Sequence, residues 1–188
     1  MPKPIHVIFA AGEAGPWRID RVDAIVGNGL AQASKLNICE GAPDGPVDRA
    51  AWQLRGTTSN SRYTAHTEIM HLSERQEGLG RKLATRAALI PIRKTEAWWS
   101  LAQDERRAIF EEQSHHIAIG LDYLPAIARR LHHCRELGEP FDFLTWFEYA
   151  PEHEAAFEDM VRKLRQTAEW RYVDREVDIR LTRDSSLP

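Results

Sequence analysis

Two short stretches concentrate side chains able to do chemistry: His115-His116, and Arg129-Arg130-Leu131-His132-His133-Cys134. Eight histidines and six tryptophans are the compositional oddities of the chain. On the helical period Ile109, Gln113, His116, Ile117 and Gly120 share one face, with Glu105, Glu112, His115 and Ile119 on the next. His116 therefore projects beside apolar residues while His115 looks toward charge. A histidine so placed is either a core residue bonded to a backbone carbonyl or a group that binds something, and spacing leaves both readings open.

In the second stretch, alternation along a strand puts Ile127, Arg129 and Leu131 on one face. A guanidinium between two aliphatics on a core face is costly unless an anion or carboxylate meets it. Arg129 is thus part of a structural ion pair, or the face is reversed with Arg130 inside, or Arg129 awaits an anionic substrate. Adjacent strand residues point to opposite faces, so His132 and His133 are poorly placed to share one zinc ion, and the paired C-x-x-C or H-x-E spacing is missing. The charges from Glu158 to Arg165 read as a solvated helix face. No G-x-S-x-G, P-loop, G-x-G-x-x-G or H-E-x-x-H occurs, so the usual tools of hydrolysis and nucleotide chemistry are not visible. There is no C-x-x-C-H, which excludes covalent haem attachment.

The elements that must position these groups belong to a chain of 188 residues with 43% hydrophobic and 28% charged residues, sized for one domain or two small fused halves. A formal net charge of -3 gives no electrostatic footprint for nucleic acid, and no apolar run approaches a membrane span. Cys39 and Cys134 cannot make a disulfide scaffold. The N-terminus reads as a first strand rather than a signal peptide, so a cytoplasmic location is expected.

Strands are predicted at His6–Ala11, Trp17–Val26 and Trp52–Tyr63, with turn chemistry at Glu40–Asp48 and a helix over Thr67–Gln76. The second half is predicted as a strand at Ala87–Ile92 with Pro91 marking an edge or bulge. A helix follows from a capping box at Ser100 and Gln103 to about Ile119, then strands at Ala126–Cys134 and Phe141–Tyr149. A helix opening at Pro151 and a half-exposed strand through Val177, Ile179 and Leu181 complete it, with a frayed tail over Thr182–Pro188. This order is the ferredoxin-like β-α-β-β-α-β plan. The expected fold class is α+β, a ferredoxin-like C-terminal half (residues 86–188) with a truncated related N-terminal half (residues 1–85) in one unit.

Thr85-Arg-Ala-Ala-Leu-Ile-Pro-Ile-Arg-Lys94, Trp98-Trp99, and above all His116-Ile-Ala-Ile-Gly-Leu-Asp-Tyr-Leu-Pro-Ala-Ile-Ala-Arg129-Arg-Leu-His-His-Cys134 resemble the chlorite dismutase family, and Phe141-Asp-Phe-Leu-Thr-Trp-Phe-Glu148 continues the likeness. It covers roughly Tyr63 to Leu181 and is similar to the short, dimeric branch of α/β-barrel type. The resemblance implies haem b in the C-terminal half. It implies His116 as the iron ligand, Glu169 as the carboxylate accepting from its Nδ1–H, Arg129 as the distal arginine and Gln76 as that arginine's hydrogen-bond partner. Leu124 and Leu131 are implied as pocket walls, Tyr63 and Trp98 as haem-edge residues.

The activity implied is conversion of chlorite to chloride and O₂, through O–Cl cleavage, a ferryl intermediate and O–O bond formation, in a homodimer that meets neither nucleic acid nor membrane. The competing readings are a decarboxylase of coproporphyrin-type haem, which relatives without the distal arginine perform, and a non-catalytic haem-binding or sensor protein.

Overall fold

In a computed structural model the chain is described over residues 4–41, 49–58 and 78–184. Among the described residues eight strands form: β1 (His6–Gly12), β2 (Trp17–Val26), β3 (Lys35–Glu40), β4 (Trp52–Thr58), β5 (Arg86–Lys94), β6 (Ala128–His133), β7 (Phe143–Tyr149) and β8 (Val173–Arg183). They close a barrel in the order β1-β3-β2-β8-β5-β7-β6-β4, and every pairing is antiparallel.

This corrects the expected fold class. Among the described residues the architecture is one closed eight-stranded antiparallel barrel with few helices, not a ferredoxin-like α+β half carrying a truncated relative. Alternation shows which segments are extended but not which edges meet. Here β2 lies against β8 and β4 against β6, so strands from before and after residue 85 share one sheet and no edge remains.

The pleat sorts side chains into two layers. Val7, Phe9 and Ala11 of β1, Ala87 and Leu89 of β5, Leu144 and Trp146 of β7, and Val177, Ile179 and Leu181 of β8 pack together inside the barrel. The alternate residues Ala88, Ile90, Phe147 and Tyr149 face outward and meet a helix, Glu154–Arg165, through its Phe157, Met160, Val161 and Leu164. That spacing puts all four on one helix face; each side chain fully buried there contributes about 1.5–3 kcal/mol. No helix among the described residues is long and apolar enough to cross a membrane.

Several local expectations change. Lys35–Glu40 is a strand that the sequence reading passed over; only Leu36 within it is fully buried, so its alternation is weak. Pro91 lies inside a closed barrel rather than at an edge, and the β5–β8 ladder breaks at Ile90 and Pro91, where the proline has no N–H to give. The last strand is buried on both faces, since Glu176, Asp178 and Arg180 lie beneath the outer helix and pair there with Arg165 and Glu158. Thr182 and Arg183 belong to that strand rather than to a frayed tail.

The helix expected from Ser100 to Ile119 is broken into pieces. Helix α1 (Glu96–Ser100) is capped by Thr95, and the Ser100 hydroxyl donates back to the Glu96 carbonyl, ending it. Helix α2 (Gln103–Arg107) starts afresh at Ala102, whose N–H is met by the Glu105 carboxylate at 2.7 Å. A π-helical stretch, Ala108–Gln113, follows, and α3 (His116–Asp122) begins only after His115 has turned through φ 52°. The outer helix Glu154–Arg165 is α4. The expected helix over Thr67–Gln76 lies outside the described residues.

Candidate functional site

His116 is the first residue of α3, with a side chain 20% exposed. Its Nδ1 lies 2.7 Å from Oε2 of Glu169, a residue brought in by the 3₁₀ turn Ala168–Tyr172 between α4 and β8. An ionised carboxylate only accepts, so Nδ1–H donates and the Nε2 lone pair is the one left to coordinate. Phe110 stacks on the imidazole at 4.4 Å and the Trp170 ring lies nearly parallel to it at 6.4 Å.

Glu169 is itself locked. Its Oε1 accepts from the Lys94 ammonium at 2.6 Å, and the two side chains are 5% and 4% exposed. Its backbone N–H donates to the buried Ser114 hydroxyl at 2.9 Å. Burial would push this carboxyl up, but the His116 ring and the Lys94 ammonium outweigh that and bring it down to about 2. Lys94 in turn sits over the rings of Trp98 and Trp170, at 4.7 and 5.5 Å. The result is an imidazole made electron-rich by a charged carboxylate, the arrangement found around metal-ligating histidines.

Arg129 enters from β6. Its register partner is Phe147, on the outward layer, while the neighbouring His132 points inside the barrel, with its ring edge-on to Phe9 at 5.2 Å. The open question of which arginine faces the helical layer is thereby answered for Arg129. Burial pulls its guanidinium below the usual value and the Glu111 carboxylate opposes that. The guanidinium packs on α3: a Cβ added at Gly120 would stand 2.9 Å from Nη1 and 3.3 Å from Cζ of Arg129. One short helix thus carries His116 at its start and meets Arg129 one turn later.

The other expected residues divide. Trp98 is buried at 1% exposure, with the Lys94 ammonium over its ring and Tyr172 5.5 Å away, so it packs against the Lys94–Glu169 pair. Leu131 follows Arg129 on the outward face and is 41% exposed, and Leu124 is half-buried just beyond α3. Gln76 and Tyr63 lie outside the described residues. Lys94, Glu111, Ser114, Phe110 and Trp170 carried no role in the sequence reading; Lys94 and Ser114 stand 75 and 55 residues from Glu169, a separation without local signal.

Among the described residues no group of three or more His, Cys, Asp or Glu could hold a metal ion. A single oriented imidazole suits an iron whose other ligands come from a macrocycle. The residues present therefore fit haem. A groove of about 810 Å³ near Gly12, Ser34 and Arg49 shares none of them.

Comparison with known proteins identifies relatives of the whole chain. The family model described as chlorite dismutase matches residues 45–184. A crystal structure of dimeric chlorite dismutases from Nitrobacter winogradskyi is 59% identical, with 94% of this chain and 99% of that one covered and a TM-score of 0.88. A chlorite dismutase from Candidatus Nitrospira defluvii in complex with imidazole is 19% identical, over 96% of this chain and 91% of that one, at a TM-score of 0.64, a likeness of fold.

Proposed function

Because the chain belongs to the chlorite dismutase family, and its activity is the conversion of chlorite to chloride and dioxygen, we propose that it works with haem b held by His116 and with Arg129 receiving the anion. The observation that carries this is the 2.7 Å contact between the His116 Nδ1 and the buried Glu169 carboxylate. It leaves Nε2 as the donor, and it places the charge that strengthens that donor.

Haem held by His116 would supply a Lewis-acidic, redox-active iron for the chemistry of the chlorine oxyanion. Everything else falls to the chain. Lys94 and Ser114 hold Glu169, Glu169 holds the Nδ1 proton of His116, and Phe110 stacks on its ring. Arg129 keeps its charge at any working pH, so it draws chlorite in from water and retains the chlorine oxyanion until the reaction is complete. Leu124 and Leu131 supply apolar wall beside it, and lower local polarity strengthens the attraction. The reaction needs no external reductant and no general base, which matches a site built from one imidazole, one guanidinium and apolar surface.

The roles of Gln76, as partner of Arg129, and of Tyr63, beside the haem edge, rest on resemblance alone. A homodimer is supported by the Nitrobacter winogradskyi structure, which is described as dimeric and matches nearly end to end. Arg129 disfavours the decarboxylase reading. The deciding experiment is chlorite added to the haem-loaded protein at an oxygen electrode. Stoichiometric O₂ is expected, and haem binding without O₂ would leave a haem-binding protein instead.

A further inference from the structure

Helical periodicity from residue 103 to 119 would carry an unbroken helix through His116, yet the chain spends a π-helical stretch, a left-handed residue and a fresh start to reach it. A restarted helix exposes N–H groups that no earlier carbonyl can meet. His115, the residue before α3, makes no side-chain cap. The work is done by Glu111, whose Oε2 accepts from the Ile117 N–H at 2.6 Å and whose Oε1 accepts from the Ala118 N–H at 3.2 Å. The Glu111 carbonyl also accepts from the His115 N–H at 2.9 Å, so both ends of this residue bind the break. Its negative charge lies where the helix dipole favours it.

The same carboxylate attracts the half-buried Arg129 guanidinium, which lies against Gly120 on α3. We infer that Glu111 is a positioning residue for the reaction, one carboxylate that seats the helix bearing His116 and balances the charge of Arg129. This inference rests on the haem and anion roles proposed above. A glutamine at 111 keeps one oxygen acceptor but loses the charge, an alanine loses both, and an aspartate keeps the charge on a stem one methylene shorter.

Three variants, Glu111→Gln, Glu111→Ala and Glu111→Asp, give the test. In the haem-free chain, amide exchange at Ile117 and Ala118 should speed up by about tenfold or more in the alanine variant as the cap is lost, less in the glutamine variant, and least in the aspartate. In the haem-loaded chain, the iron–histidine stretching band of the ferrous form should broaden or shift in the glutamine and alanine variants. Chlorite KM should rise several-fold, with aspartate restoring both. Unchanged exchange, band and KM in a folded Glu111→Gln protein would overturn the inference, even if the alanine variant fails to fold. If the unaltered chain takes up no haem, the parent reading falls, while the exchange rates still decide whether Glu111 seats α3.

Discussion

Lys94 and Glu169 form an ion pair of 2.6 Å that is closed off from water, and the free oxygen of the same carboxylate reaches His116. A buried pair of this kind is costly to break from one side, because the remaining charge has nowhere to go. Lys94→Met should lower stability by about 3–5 kcal/mol in urea unfolding. The double variant Lys94→Met with Glu169→Gln should lose less than the two singles added together. Strict additivity would show that the two side chains act independently. Glu169→Gln alone should weaken haem retention by roughly 10–100-fold, read by transfer of haem to an acceptor protein.

Arg129→Ala should slow chlorite turnover and release more hypochlorite, read with an oxygen electrode and a chlorinatable dye. Arg129→Lys should fall between, since an ammonium keeps the charge but not the planar fork. Wild-type turnover and dye bleaching in the alanine variant would remove Arg129 from the reaction.

Gly120→Ala separates fold from function. The new methyl would crowd the far end of the Arg129 side chain, at 2.9 Å from Nη1, rather than any backbone. Helix propensity then favours the alanine by up to about 1 kcal/mol. The variant should melt no lower than the parent while its chlorite KM rises several-fold. A lower melting temperature with an unchanged KM would contradict this placement of the guanidinium.

Acid should unfold the barrel partly through His132. Burial holds its ring down to about 4, against an ordinary value of 6.5, and its Nδ1–H donates to the Leu144 carbonyl. A histidine depressed in the folded state stays neutral there while the unfolded chain takes up a proton. Its contribution is intact above pH 6.5, falls away between 6.5 and about 4, and is constant below that. The full loss is about 3 kcal/mol. Unfolding free energies at pH 7, 5.5 and 4.5 should show a steeper decline for the parent than for His132→Gln. Parallel declines would show that His132 does not titrate this way.

What is legible in the sequence follows how far each interaction reaches along it. The apolar face of α4 repeats every three to four residues, and β1, β5 and β7 are short apolar runs buried on both faces; a few consecutive residues suffice to read them. The break before α3 is less legible, because its causes are a side chain reaching back from residue 111 and a backbone turned at His115.

By itself the sequence determined the inventory: a histidine on an apolar helix face, an arginine between aliphatics, and a run of residues specific enough to suggest the family. It could not determine closure. Pairing of β2 with β8 joins residues 150 or more apart, and no local pattern encodes which strand edges find each other. That pairing turned the expected α+β halves into one barrel. The tertiary structure likewise decided that Arg129 faces the helices while His132 faces the lumen, and that Lys94 stands behind Glu169. Burial and charge balance are properties of neighbours in space, and a chain acquires those neighbours only when it folds.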